Sequence, residues 1–375
     1  MKNAIRSLEG GRGIAALVVA LYHLGIGLQF SVIRNGYLFV DLFFVLSGFV
    51  ICAAYAERLN DGDDMRVFVV RRVGRLLPLL VFSTLFFILV QNGLVFAKHV
   101  VVKYGHAALL HTPSAMNYTI PTAGDVLSTL TMTHGLNVFD HLILNTPSWS
   151  ISVEFYTYLL FAAVCLLTNR TIRIPVYIAI SVIGLAVCVW ASVGPHDCLK
   201  SGGCMSLTYD FGYPRSVFSF FLGALTYLAS RRVRLPVVAL QVLGVAAMIA
   251  LFSFTDAVPA IAFGFPFAFA LLILSACQDQ GLLADILKAR PFQVLGNRSY
   301  SIYLMHMPLV MIFGNLARRV SSIPANLLVL GSFVATLIIV SGWTYRFIED
   351  PFRKRFNRYA ANMRLAATPA RVRRQ

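Results

Sequence analysis

Arg12 and His23 lie eleven positions apart in the otherwise apolar run RGIAALVVALYHLGIGL. At about 100° per residue, eleven residues close nearly three helical turns, so both side chains leave one face of a helix. The helical rise sets them about 16 Å apart along the axis. Charged and titratable groups are costly inside a bilayer and mark functional positions there. Further groups of this kind follow along the chain. Asp41 stands in VDLFFVLSGF and Glu154 in TPSWSISVEFYTYLLF. His306 stands in NRSYSIYLMHMPLV together with Tyr300 and Tyr303, and Arg71, Arg72 and Arg75 immediately precede LLPLL.

These types suit one chemistry. An imidazole, with an unperturbed pKa near 6.5, can take the proton from a hydroxyl so that the oxygen attacks an activated acyl group. A carboxylate beside it fixes the tautomer and stabilises the imidazolium; Glu154 is the expected partner of His23, with Asp41 as a substitute. Arg72 and Arg75 share a helix face and can grip phosphates. Each group also has a plainer reading. Arg12 can be a snorkelling anchor, and His23 can be a helix–helix hydrogen-bonding residue. Asp41 can cap a helix or pair with Arg34. Ser47 shows no fixed base that would make it a nucleophile.

The elements that must hold these groups are set by composition. The chain has 375 residues, 58% of them apolar and 13% charged, with a mean hydropathy of +0.73. That is far more apolar than a soluble domain. The apolar segments are continuous rather than alternating, which selects helices over barrel strands. The expectation is an all-α polytopic membrane protein of about ten spans: 11–31, 36–56, 76–97, 148–168, 174–194, 214–230, 235–254, 257–277, 298–317 and 325–347. The half-apolar stretch 125–139 reads as re-entrant or interfacial. Residues 1–351 form the membrane core and 352–375 a basic cytoplasmic tail.

The net charge of +16 would suggest nucleic acid in a soluble protein. Here the cations sit between apolar segments, in RVFVVRRVGR, RRVR and the tail, so nucleic acid is not expected. With both termini cytoplasmic, about 25 of the 32 Lys and Arg fall inside and about 7 outside, as the positive-inside rule requires. No cleavable leader is evident. Cys52, Cys165, Cys188 and Cys277 read as packing residues. Cys198 and Cys204, in the polar loop CLKSGGC, are either a local disulfide or two free thiols. No metal-ligand spacing occurs. His99, His106, His111, His134 and His141 cluster in 98–147 without an assignable chemistry.

Taken together, six stretches in this order resemble the acyltransferase 3 family of integral-membrane acyltransferases. They are Arg12 and His23 with ten residues between them, VDLFFVLSGF, RRVGRLLP, PSWSISVEFYTYLLF, SYSIYLMHMPL and IEDPFRK. The resemblance implies transfer of an acyl group, usually acetyl from acetyl-CoA, to hydroxyls of carbohydrates and other surface or secreted molecules. It implies a bacterial cytoplasmic (inner) membrane location and no metal.

By the same resemblance His23 is the catalytic histidine and Arg12 its companion, Arg72 and Arg75 serve the acyl-CoA, and Glu154 is the family's acid. Arg12 also faces the cytoplasmic side and is expected to bind acyl-CoA with Arg72 and Arg75. Asp41, His306, Tyr303 and Ser150 are supporting candidates. Many members carry two further residues after that acid, whereas this chain runs directly into Phe155 and Tyr156. The carboxy-terminal hydrolase-like domain of some members is absent from the sequence, which reads as a stand-alone core. Mid-membrane His, Asp and Glu would also fit a proton-coupled secondary transporter or exporter, although no repeated halves are visible. The acceptor, the acyl group and the oligomeric state are left open by the sequence.

Overall fold

The computed structural model describes residues 5–105, 116–232, 236–320 and 322–372, and all regular structure among them is helical. The long helices are α1 (Arg6–Leu24), α2 (Phe39–Tyr55), α3 (Gly62–Lys103), α4 (Trp149–Leu167) and α5 (Arg170–Val193). They continue with α6 (Gly212–Ser230), α7 (Val237–Phe254), α8 (Phe265–Ala276), α9 (Ser299–Ala317), α10 (Ile323–Thr344) and α11 (Asp350–Val372). Among the described residues, eight helical segments are long and apolar enough to cross a membrane, so the protein is multi-pass. Of the ten expected spans, those on α1 and α6 fall short of that measure. Both carry charge: α1 holds Glu9 and Arg12, and α6 holds Arg215, which is only 1% exposed.

Local sequence explains several boundaries. The carboxylate of Asp61 caps α3 by accepting from the Asp63 and Asp64 amides. That start, fourteen residues ahead of the expected span at 76, makes α3 a 42-residue helix. Arg71, Arg72 and Arg75 therefore stand on the helix itself, in fixed register with the apolar part. The mixed stretch 125–139 holds a nine-residue helix, Ala123–Thr131, opened by a reciprocal capping box between Thr122 and Asp125. At about 1.5 Å per residue it is too short to span a bilayer. Around Pro259 the chain winds as a 3₁₀ turn, Pro259–Gly264, before α8 begins.

Small residues set the helix contacts. At the crossing of α2 and α6, a Cβ added to Gly48 would lie 1.8 Å from the Phe220 carbonyl oxygen, and one added to Gly223 would lie 1.8 Å from that of Val45. The two backbones touch, as small residues permit in membrane bundles. Gly13 likewise lets α1 approach the short helix Arg290–Asn297.

Asp41 lies on this α2–α6 contact and is wholly buried. It pairs neither with a histidine nor with Arg34. Arg215 donates to it at 2.7 Å from Nη2 and 3.1 Å from Nε, and Ser219 donates at 3.0 Å. The same guanidinium donates to the carbonyls of Tyr37 and Leu207. Arg34 instead meets Asp256 outside the spans, and hydrogen bonds from Arg34 hold that carboxyl down to about 2.

Cys198 and Cys204 form a disulfide. Its loop docks at the α1–α2 corner, where the Tyr37 hydroxyl donates to the Cys204 carbonyl at 3.0 Å. Of the other cysteines, Cys52, Cys165 and Cys188 are buried free thiols and Cys277 is partly buried. The expected basic tail begins as α11, which packs along α3 with Phe356 seated against Gly74 and Ala360 fully buried. The far end of the tail, His106, His111 and part of RRVR lie outside the described residues. His134 is buried and pins a loop: Nδ1 faces the Ser128 carbonyl at 3.3 Å, and Nε2 lies 3.0 Å from the Ser148 carbonyl and 3.1 Å from its hydroxyl. Burial lowers its pKa, which keeps the ring neutral in that role.

Candidate active site

Two cavities lie at opposite ends of the bundle. The first, about 100 Å³, gathers the start of α1, residues 40–51 of α2, the basic turns of α3 and the starts of α4 and α9. Arg12, Arg72 and Arg75 line it together, with Glu9, Ser47 and Glu154 among their neighbours. The helical register that puts Arg72 and Arg75 on one face of α3 is what delivers both guanidiniums to this cavity. Arg72 packs its guanidinium over the rings of Tyr55, Phe68 and Tyr158, at 5.5 to 5.8 Å from their centroids. Its Nε is buried and has no acceptor among the described residues. Arg12 is held by Glu9 at 3.3 Å, one turn back on α1.

Glu154 belongs to this cavity and not to His23. Its Oε1 accepts from the hydroxyls of Ser47 and Tyr158, which also contact each other at 2.7 Å. The expected carboxylate–imidazole pair is therefore replaced. Glu154 lines the arginine-bearing cavity, and Ser47, which had no visible partner in the sequence, is held by it. Ser150 and Tyr303 also line the cavity, joined by a 2.7 Å hydrogen bond. The Tyr303 hydroxyl reaches the Pro147 carbonyl at 3.1 Å.

Behind Tyr303 stand two histidines. The Tyr303 and His306 ring centroids are 5.8 Å apart, and those of His306 and His23 are 4.9 Å apart. Nε2 of His306 lies 3.3 Å from Nδ1 of His23. The partners assign the tautomers. His306 is wholly buried, and its Nδ1 faces the Tyr303 carbonyl, which can only accept. Its Nε2 is then the bare nitrogen. Nδ1 of His23 faces that nitrogen and also the Val19 carbonyl at 2.9 Å, so it carries the proton of the neutral ring. Nε2 of His23 is left with a free lone pair.

Pro308 helps to place this pair. A proline leaves the carbonyl four residues earlier without its helical donor. That carbonyl belongs to Leu304, and the buried Asn145 amide supplies a donor to it at 3.0 Å.

His23 opens into the second cavity, about 1050 Å³, formed where α1, α3 and α9 end and α10 begins. Arg12 and His23 thus occupy one helix yet serve different cavities. The disulfide loop lies at this same end, since Tyr37 beside it adjoins the end of α1 through Gly36 and Tyr22. Arg215 and Tyr158 are the structural partners that sequence reasoning did not single out. The signal for Arg215 was present, as an arginine inside the apolar run PRSVFSFFLGALTY.

A family model described as an acyltransferase domain, acyltransferase 3, matches residues 5–345. The chain is 29% identical to the Bacillus subtilis protein YrhL, whose name describes a candidate peptidoglycan O-acetyltransferase; the match covers 93% of this chain and 55% of that protein. It is 26% identical to the peptidoglycan O-acetyltransferase OatA of Listeria monocytogenes, over 93% of this chain and 56% of the relative. It is 25% identical to the O-acetyltransferase OatA of Staphylococcus aureus, over 93% and 57%. The chain thus spans about half the length of the curated relatives it matches. No solved structure matches it significantly.

Proposed function

The chain belongs to the acyltransferase 3 family, and on that premise we propose that it moves an acetyl group from acetyl-CoA to a carbohydrate hydroxyl across the membrane. The observation that carries this reading is the His23–His306 pair standing between an arginine-lined cavity and a large cavity at the other end. Family membership sets the carrier reading aside. The relatives' names support acetyl as the acyl group and a glycan as the acceptor.

Ten helices, α1 to α10, cross the bilayer with both termini in the cytoplasm and residues 1–351 as the core. This supplies the positive-inside balance. It also places the disulfide in an oxidising compartment, where disulfides persist. The arginine cavity then faces the cytosol, where acyl-CoA is found, in the inner membrane of a bacterium. At about 100 Å³ it is smaller than the roughly 300–1,000 Å³ of a site that encloses a whole ligand. It admits the slender thioester arm while Arg12, Arg72 and Arg75 hold the phosphates at its mouth.

The acceptor approaches from the opposite cavity. Its hydroxyl oxygen attacks the thioester carbonyl carbon as His23 Nε2 takes the proton. The C–S bond breaks, and the imidazolium returns that proton to the departing thiolate. The products are an ester and free CoA thiol. His306 orients His23 and shares the positive charge as it develops, the role expected of Glu154 from the sequence. Ser150 supports this arrangement by holding Tyr303.

The test is steady-state transfer by the purified full chain with labelled acetyl-CoA. Arg72→Ala should raise KM for acetyl-CoA by about 10–100-fold, the loss expected for charge-assisted contacts to phosphate. KM for the acceptor should change far less. Equal effects on both substrates would show that Arg72 is structural and would remove the donor site from this cavity.

A further inference from the structure

The cavity that exposes His23 has a distinctive lining. Five carboxamides reach it: Gln29, Gln91, Asn117, Asn315 and Asn326. Those of Gln29, Gln91 and Asn117 make no hydrogen bond among the described residues, so both their donor and acceptor ends are available. A carboxamide pairs well with a sugar hydroxyl, which also donates and accepts. The exposed ring of Phe30 adds an apolar face beside them.

The charge of this lining is one-sided. Lys98 and Arg318 contribute to it, and no Asp or Glu does among the described residues. Arg318 is oriented, since its Nη2 donates to Asn315 Oδ1 at 2.8 Å while the Asn315 amide donates to the Met311 carbonyl at 2.6 Å. The guanidinium is thereby tied to α9, the helix that also carries His306. A cleft lined by one sign of charge focuses its field and raises the local concentration of the opposite sign.

We propose that this cavity is the acceptor site and that it selects a carbohydrate bearing an anionic group, a carboxylate or a phosphate, read by Arg318. The inference rests on the transferase function proposed above and specifies its acceptor. The carboxamides hold the sugar hydroxyls, Arg318 holds the acid, and one hydroxyl is left facing His23. A guanidinium distinguishes the acid from a neutral sugar by charge-assisted hydrogen bonding.

Three acceptors separate the possibilities in detergent: the N-acetylglucosaminyl–N-acetylmuramic acid disaccharide, its methyl ester, and N,N′-diacetylchitobiose 1-phosphate. The wild-type protein should acetylate one or both anionic compounds with kcat/KM at least about tenfold above the ester, the value of one charge-assisted contact. Preference for the free acid alone identifies the carboxylate, and preference for the sugar phosphate alone identifies the phosphate. Arg318→Gln should shrink the anionic-to-neutral ratio toward one, and Arg318→Lys should restore part of it. Equal kcat/KM for all three compounds in the wild type would overturn the charge selection while leaving the transferase function standing. So would a ratio that survives in Arg318→Gln, or one set by anionic lipid added as phosphatidylglycerol vesicles rather than by the acceptor. Absence of transfer to all three would overturn the transferase function and this inference with it.

Discussion

Replacing His23 with alanine should reduce acyl transfer by about 10²–10⁴-fold, the usual contribution of a positioned general base. The folded protein should persist. His23 is only partly buried, and the packing of α1 comes from Ala15, Ala16, Val19 and Ala20, all fully buried. Thermal unfolding in detergent should therefore change little. His306→Ala should cost less, about 10–100-fold, the range seen when a partner that orients an imidazole is removed. The order matters because the tautomers are fixed in a chain, from the Tyr303 carbonyl through His306 to Nδ1 of His23. The free lone pair is at the His23 end. Retained turnover in His23→Ala would reject its role as base, and a larger loss in His306→Ala than in His23→Ala would reverse the assignment of the two rings.

Asp41→Asn should produce the opposite result, a large loss of stability with turnover per folded molecule nearly intact. Asp41 and Arg215 are both essentially sequestered from solvent, at 0% and 2% side-chain exposure. Removing one partner leaves an uncompensated buried charge, which costs about 3–5 kcal/mol. The guanidinium also donates to the Tyr37 and Leu207 carbonyls, so its misplacement loosens the α2–α6 contact and the disulfide loop together. Paired replacement, Asp41→Asn with Arg215→Met, should recover much of the loss, and a double-mutant cycle measured by unfolding reads that coupling directly. Strictly additive losses would show that the pair is not energetically joined. A drop in turnover per folded molecule as large as that of His23→Ala would return Asp41 to the catalytic machinery.

These contrasting results rest on facts of unequal legibility. Depth and face along a single helix follow from periodicity. Arg72 and Arg75, three residues apart, could be placed on one face and do reach one cavity. His23 and His306 could each be recognised as polar groups inside apolar runs. Their pairing could not be, because they are 283 residues apart and a helix pattern does not name its neighbour. The same limit misdirected Glu154: a carboxylate near mid-helix needs partners, but hydroxyls from Ser47 and Tyr158 fill that need as well as an imidazole would. Arg34, seven residues before Asp41, was an expected partner, whereas the partner found, Arg215, lies 174 residues away. Charge balance sorts cations by side of the membrane and cannot tell which of them folds inward. The cysteine loop was undecided for a related reason, since six residues of separation permit a disulfide without requiring one.

Sidedness tests the central claim most directly. In proteoliposomes of uniform orientation, labelled acetyl-CoA is supplied on the face bearing Arg72 and the acceptor disaccharide on the face bearing the Cys198–Cys204 loop. The account predicts acetylated disaccharide under that arrangement and none when the two substrates exchange sides. Transfer that requires both substrates on one face would contradict a histidine pair working between two opposed cavities.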